Sequence, residues 1–143
     1  MNKMDSAKRV ISGTHGKVWL GGELVAECYG MQAKVANNKE DVAICGVMMT
    51  DVKVISQKGT GSLKLHKVAS TMARLLSGMY KDGKDVRFVI KSMLADPDSY
   101  GKEQVAIYNV SFDDLTLADW EAATKGTVEA PFTFTDYEYL DMI

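Results

Sequence analysis

The segment Lys17-Val18-Trp19-Leu20-Gly21-Gly22-Glu23-Leu24-Val25-Ala26-Glu27 leaves the chain few ways to fold. Two consecutive glycines between apolar-bearing arms reach the positive φ angles of a two-residue hairpin turn, so antiparallel strands are expected to meet there. The second arm is expected to run on into a long amphipathic strand. A counterpart closes the chain, Ala130-Pro131-Phe132-Thr133-Phe134-Thr135-Asp136-Tyr137-Glu138-Tyr139. Both stretches read as sheet that is covered on one face and wet or partnered on the other.

With 143 residues the chain fits one domain, 1–143, and a domain of this size buries roughly 68–70% of its unfolded surface. It therefore needs neither metal nor disulfide to fold. A net charge of −2 argues against a general nucleic-acid binder, whose charge is usually basic. Cys28 and Cys45 form no C-x-x-C pair and sit in apolar, strand-like contexts, which reads as two free cysteines acting as small hydrophobes. The charged start, Met1 to Arg9, is followed by no apolar core of a signal peptide, and no run reaches the length of a membrane span. These features point to a protein of the reducing cytoplasm with no membrane anchor of its own.

Residues 1–13 are polar apart from Val10 and Ile11 and read as an extended arm, either disordered or ordered against a neighbour. Gly30 interrupts the alternation that follows Glu23, as a bulge does, so one curved strand is expected. Asn37-Asn38 supplies a second turn signal, with Val42 and Ile44 on the returning strand. Residues 46–61 then read as a long loop in which Met48, Met49, Val52 and Val54 are apolar among polar neighbours. Such residues either pack on their own core or are covered by another subunit.

Leu63 and Leu65 alternate with Lys64 and His66 as a short strand. Ser70 then begins a helix whose Met72, Leu75, Leu76 and Met79 share one face, and Asp82-Gly83 ends it. Val86, Phe88 and Ile90 form a strand, and the turn 96–101 returns the chain into residues 104–112, whose apolar phase slips near Tyr108-Asn109 as at a bulge. Leu115 to Ala123 favours strand over helix, and the last strand, from about Thr127, changes phase between Phe134 and Tyr137. The sum is seven to nine strands and one helix, closed as a sandwich or barrel.

The search for chemistry is mostly negative. His15 and His66 have no carboxylate or cysteine at metal-ligand spacing, so no cofactor is expected. Gly13-Thr14-His15-Gly16 and Gly59-Thr60-Gly61 lack the lysine and helix of a phosphate loop and read as turns. Asp113-Asp114 reads as a solvated turn, since adjacent residues point apart. Nothing supports an enzyme.

Taken in order, these pieces resemble the tail tube proteins of contractile phage tails, a family that extends to prophage-derived particles and R-type bacteriocins. The resemblance rests on the hairpin 17–27, the approach Gly59-Thr60-Gly61 into a strand and a single helix, the strands from Val86 to Phe112, and the terminal Pro131-Phe132-Thr133-Phe134-Thr135-Asp136. It spans about residues 12–139. It implies a β-barrel-like domain with a flanking helix and a long inter-subunit loop. Six copies close into a ring whose inner sheets join, and rings stack into a hollow tube inside a sheath. On this basis Val10, Ile11, Met48, Met49, Val52 and Val54 are expected at contacts between subunits and rings. Gln32, Lys34 and Asp41 are expected, by alternation, to face the lumen. The implied partners are further copies of the chain, a sheath protein, baseplate and tail-terminator proteins, and DNA passing through the lumen without specific binding if the particle is a phage. The implied location is the virion or a phage-tail-like particle. An Hcp-like secretion tube shares this fold, and a monomeric small-ligand barrel is a more distant alternative.

Overall fold

A computed structural model describes residues 4–143. The hairpin forms where the two glycines require it: β1 (Gly16–Leu20) and β2 (Glu23–Leu24) pair Trp19 with Leu24 and Leu20 with Glu23. Gly21 and Gly22 between them hold φ of 61° and 91°. The second arm stops after two residues, however. A turn at Ala26-Glu27 intervenes before β3 (Cys28–Val42), so the hairpin does not run directly into the long strand.

Two further expectations fail together. Asn37-Asn38 is not a turn, and residues 51–61 are not loop: β3 continues through both asparagines and pairs along its length with β4 (Asp51–His66). The asparagine side chains make this possible by acting across the ladder. Asn38 Nδ2 donates to Ser56 Oγ at 2.8 Å, and Gln57 Nε2 donates to Asn37 Oδ1 at 3.0 Å. The strain signalled by the pair is absorbed as a register shift between Asn38 and Lys39, which leaves Ile55 unpaired as a bulge. Only residues 43–50 remain as loop. The expected bulge near Gly30 is present as a shift between Cys28 and Gly30.

After β4 comes α1 (Thr71–Lys81), which buries Met72 and Leu76 while Met79 stays exposed. Ser70 precedes it without a side-chain capping bond. Tyr80 ties the helix to the sheet by donating its hydroxyl to the Phe112 carbonyl at 3.0 Å. Strands β5 (Phe88–Leu94) and β6 (Glu103–Phe112) follow, with the expected phase slip in β6 marked by Asn109 at φ 56°. The segment 115–123 is irregular, not strand: Leu115 packs on the core and the rest turns through Ala123 at φ 61°. The chain ends in β7 (Thr127–Phe134) and β8 (Asp136–Asp141), separated by a bend at Thr135.

All strand pairs are antiparallel, in the order β2-β1-β5-β6-β7-β4-β3, with β8 branching from β6. The bulge at Asn109 is the branch point. Residues before it pair with β8, whereas Ser111 and Phe112 pair with β7. The sheet rolls until β3 lies beside β1, enclosing Leu63, Leu76, Ile90, Ile107, Val110 and Phe132. Each such buried side chain contributes about 1.5–3 kcal/mol of hydrophobic stabilisation. Gly59, buried, and Gly61, half-buried, lie in mid-strand: they pair with Phe134 and Phe132, whose rings lie over the bare backbone.

Candidate assembly surfaces

The most distinctive surface is a consequence of strand length. β7 covers β4 only from Gly59 to His66, so residues 51–58 pair with β3 alone and the two strands leave the barrel as a two-stranded ribbon. Both faces of the ribbon are exposed. A free hairpin of this kind is marginal in water, yet this one carries Val42, Ile44, Val47, Val52, Val54 and Ile55 in solvent. At its tip Met48 is fully exposed and Met49 is 84% exposed. Cys45 lies in the same tip and is exposed, which corrects its expected place in an apolar strand, while Cys28 is half-buried and its thiol is pushed up by burial.

A second surface is the outer face of β3, β4 and β7. Gln32 pairs with Ser62 and Lys34 with Thr60, and Ser62 and Thr60 in turn face Pro131 and Thr133. Lys64 and Glu129 are paired on the same face. This wall is polar and of mixed charge, with Tyr29 stacked on His66 at 4.4 Å near one end. Gln32 and Lys34 share it. Asp41 does not: because the strand runs unbroken through Asn37-Asn38, alternation puts it on the opposite face, paired with Val52 on the ribbon.

The arm is a third surface, and it is not extended. Its described residues form two 3-10 turns, Ala7–Arg9 and Gly13–His15, opened by the Ser6 and Ser12 side chains. It is latched to the turn 96–101. Arg9 donates to the Asp98 carbonyl at 3.2 Å and lies 4.6 Å over the Tyr100 ring, and Ser12 N–H donates to Asp96 Oδ2 at 2.8 Å. Asp98 N–H donates to the other carboxylate oxygen at 2.9 Å. These two amide donors, Ser12 first, hold the Asp96 carboxyl below the usual carboxylate range. Val10 is exposed and Ile11 half-buried. Residues 1–3 of the expected arm lie outside the described residues.

Chemical groups are not gathered anywhere comparable. Among the described residues no three of His, Cys, Asp and Glu come together as a metal site. Glu27 is lowered chiefly by the Thr71 hydroxyl, which donates to it at 2.6 Å. Tyr108 is raised chiefly because its hydroxyl donates to Glu138. Both are structural bonds. No helix among the described residues is long and apolar enough to cross a membrane.

Comparison with known proteins decides what such a ribboned barrel is. A family model described as phage tail tube protein matches residues 3–141.

The chain belongs to the phage tail tube protein family.

It is 35% identical over 134 residues to the phage-like element PBSX protein XkdM of Bacillus subtilis, covering 92% of this chain and 91% of that one. A solved Bacillus subtilis structure, 34% identical, superposes with a TM-score of 0.55 over 96% of this tail tube chain and all of its counterpart. At 10% identity, a chain of the sheath-tube complex of an extracellular contractile injection system shares the fold, with a TM-score of 0.68 and 95% of each chain covered. The tail tube fold is mainly β with one flanking helix, as the sequence suggested. Sequence reasoning missed two features of it: the ribbon, hidden because Asn37-Asn38 imitates a turn, and the exposed Leu117 and Trp120 of the 113–126 segment, hidden because alternation there imitates a strand.

Proposed function

We propose that this tail tube chain closes into hexameric rings that stack into the hollow inner tube of a contractile phage tail or related particle. The observation that carries the proposal is the ribbon. Its backbone is satisfied internally for only one edge of each strand, and its apolar side chains have no cover among the described residues. Burying them against another copy removes both the edge-strand hazard and the exposed apolar area. Met48, Met49, Val52 and Val54 are therefore assigned to contacts between copies, and Val10 and Ile11 of the latched arm to contacts between successive rings.

The lumen is assigned to the polar outer wall that carries Gln32 and Lys34. Joining the free edge of β3 to a neighbour's sheet continues this wall from copy to copy. A conduit for DNA must not bind phosphate tightly, because each lysine-phosphate contact adds affinity by counterion release. Lys64 faces Glu129 across the ladder, which moderates the positive charge of the wall. In this reading the chain does no catalysis, takes no cofactor, and meets a sheath outside and a baseplate and a terminator at the ends, within the assembled particle. The contractile injection system neighbour, solved as a sheath-tube complex, supports the sheath partner by analogy of fold.

The test is to replace residues 43–50 by a two-residue Asn-Gly turn. The shortened chain is expected to fold and to form no tubes by negative-stain microscopy. Tubes of normal width and length from that variant would defeat the assignment of the ribbon. For the lumen, Gln32→Arg is expected to slow DNA passage, and unaltered passage would count against the assigned wall.

A further inference from the structure

Where β3 rolls back beside β1, the sheet is not closed by hydrogen bonds. The seam is a groove of about 830 Å³. Its walls are Val18, Leu24, Val25, Met31 and Leu94, and its charged residues are Lys17 and Glu103. A groove of this volume suits a small ligand only where polar groups converge to orient it. Its other polar side chains are Thr14, Tyr29 and Ser92, and among the described residues no three of His, Cys, Asp and Glu gather there. The aliphatic walls favour an occupant that is apolar over most of its length.

The chain carries such an occupant. Residues 42–50, Val-Ala-Ile-Cys-Gly-Val-Met-Met-Thr, contain no charge and are bounded by Asp41 and Asp51. Their methionines are unbranched and adaptable, the side chains best able to fill an irregular slot. The tip cannot reach the groove of its own chain. Pairing runs along β3 from Met31, in the groove wall, to Val42 at the base of the tip. At about 3.3 Å per residue that paired strand holds the two roughly 36 Å apart.

We infer that the uncharged tip of one copy seats in the seam groove of another copy. The inference rests on the reading that the ribbon bridges copies, and it names the receiving surface. Tip and groove are different patches, so the contact is head-to-tail, the type that propagates into rings or filaments and does not stop at a symmetric dimer. Lys17, which has no ion-pair partner among the described residues, is placed to meet Asp41 or Asp51 at the root of the incoming tip.

Two chains with one cysteine each test the pairing. One carries Cys28→Ser and keeps Cys45 at the tip. The other carries Leu24→Cys, Cys28→Ser and Cys45→Ser, and Leu24 is half-exposed. Mixed at the concentration where wild-type protein assembles and then oxidised, they are expected to give a disulfide-linked heterodimer on a non-reducing gel, its junction identified by mass spectrometry. In parallel, Leu24→Arg and Met48→Arg/Met49→Arg are each expected to raise the concentration needed for assembly at least tenfold, with unchanged far-ultraviolet circular dichroism. No heterodimer, together with normal assembly of Leu24→Arg, overturns the groove assignment. If the methionine variant still fails to assemble in that case, the ribbon reading stands. Normal assembly of the methionine variant overturns both.

Discussion

Gly61→Ala is the substitution in which the structure reverses an ordinary expectation. In a strand, alanine is usually favoured over glycine by about 0.5–1 kcal/mol, because glycine loses more backbone freedom on folding. At residue 61 an added Cβ would run into the Gln32 carbonyl oxygen and lie 2.6 Å and 2.9 Å from two ring carbons of Phe132. The ring is fully buried and the carbonyl belongs to the β3 ladder, so neither yields without disturbing its own packing. Overpacking of this kind costs about 1–3 kcal/mol. Taking the upper end for a backbone clash and subtracting the usual gain leaves a net loss of about 2 kcal/mol. An unfolding entropy of about 2.1 cal/mol/K per residue gives about 0.3 kcal/mol/K for this chain, so the melting temperature is expected to fall by about 7 °C. Gly78→Ala is the internal control. It lies in the helix with nothing within 4 Å of the added atom, and is expected to gain up to about 1 kcal/mol, or about 3 °C. Both are read by thermal melts followed by circular dichroism on dilute, unassembled protein. A Gly61→Ala melt at or above wild type would refute the claim that the Phe132 ring rests on that backbone.

Phe132→Ala, which empties the largest fully buried site, is expected to cost about 3–5 kcal/mol in urea unfolding, and a loss under about 1 kcal/mol would mean the core is centred elsewhere. Tyr80→Phe removes the bond to the Phe112 carbonyl and is expected to cost about 0.5–1.5 kcal/mol in the same assay. Asp96→Ala frees the Ser12 and Asp98 amides and is expected to speed tryptic cleavage at Lys8 and Arg9, with the barrel melt little changed; unchanged cleavage would mean the latch does not hold the arm. The Asp96 carboxyl is lowered in the folded state, so its stabilisation is present above the ordinary aspartate pKa and is lost as pH falls through the folded value. Wild-type arm cleavage by an acid-active protease is therefore expected to rise below about pH 4, where Asp96→Ala should show no such step.

The local signals in the sequence were reliable where one physical cause acted alone. Gly21-Gly22 can serve little but a tight hairpin turn, and the helix stripe of Met72, Leu75 and Leu76 has no competing period. They misled where a local preference met a longer-range ladder. Asn37-Asn38 favours a turn in isolation, but cross-strand bonds to Gln57 and Ser56 hold the pair in a strand, and those partners lie about 20 residues away. The same error turned residues 51–61 of β4 into loop and put Asp41 on one face with Gln32 and Lys34, where the unbroken strand places it opposite them. Leu115 and Leu117 alternate, yet among the described residues no strand pairs with them, and the segment stays irregular. Gly59 and Gly61 read as a turn because their true role, supporting the Phe134 and Phe132 rings, depends on a strand seventy residues downstream. The exposed residues Met48, Met49, Val52 and Val54, proposed to meet another copy, were legible as apolar residues out of place. The groove at the seam was not, because it exists only once the sheet has rolled.

Cryo-electron microscopy of the purified full-length chain over a concentration series bears most directly on the central claim. The expected result is hollow tubes of uniform width whose end-on views show six copies per ring, with the ribbon of each copy buried against a neighbour. A chain that stays monomeric up to millimolar concentration, or forms rings in which residues 42–55 remain in solvent, would contradict it.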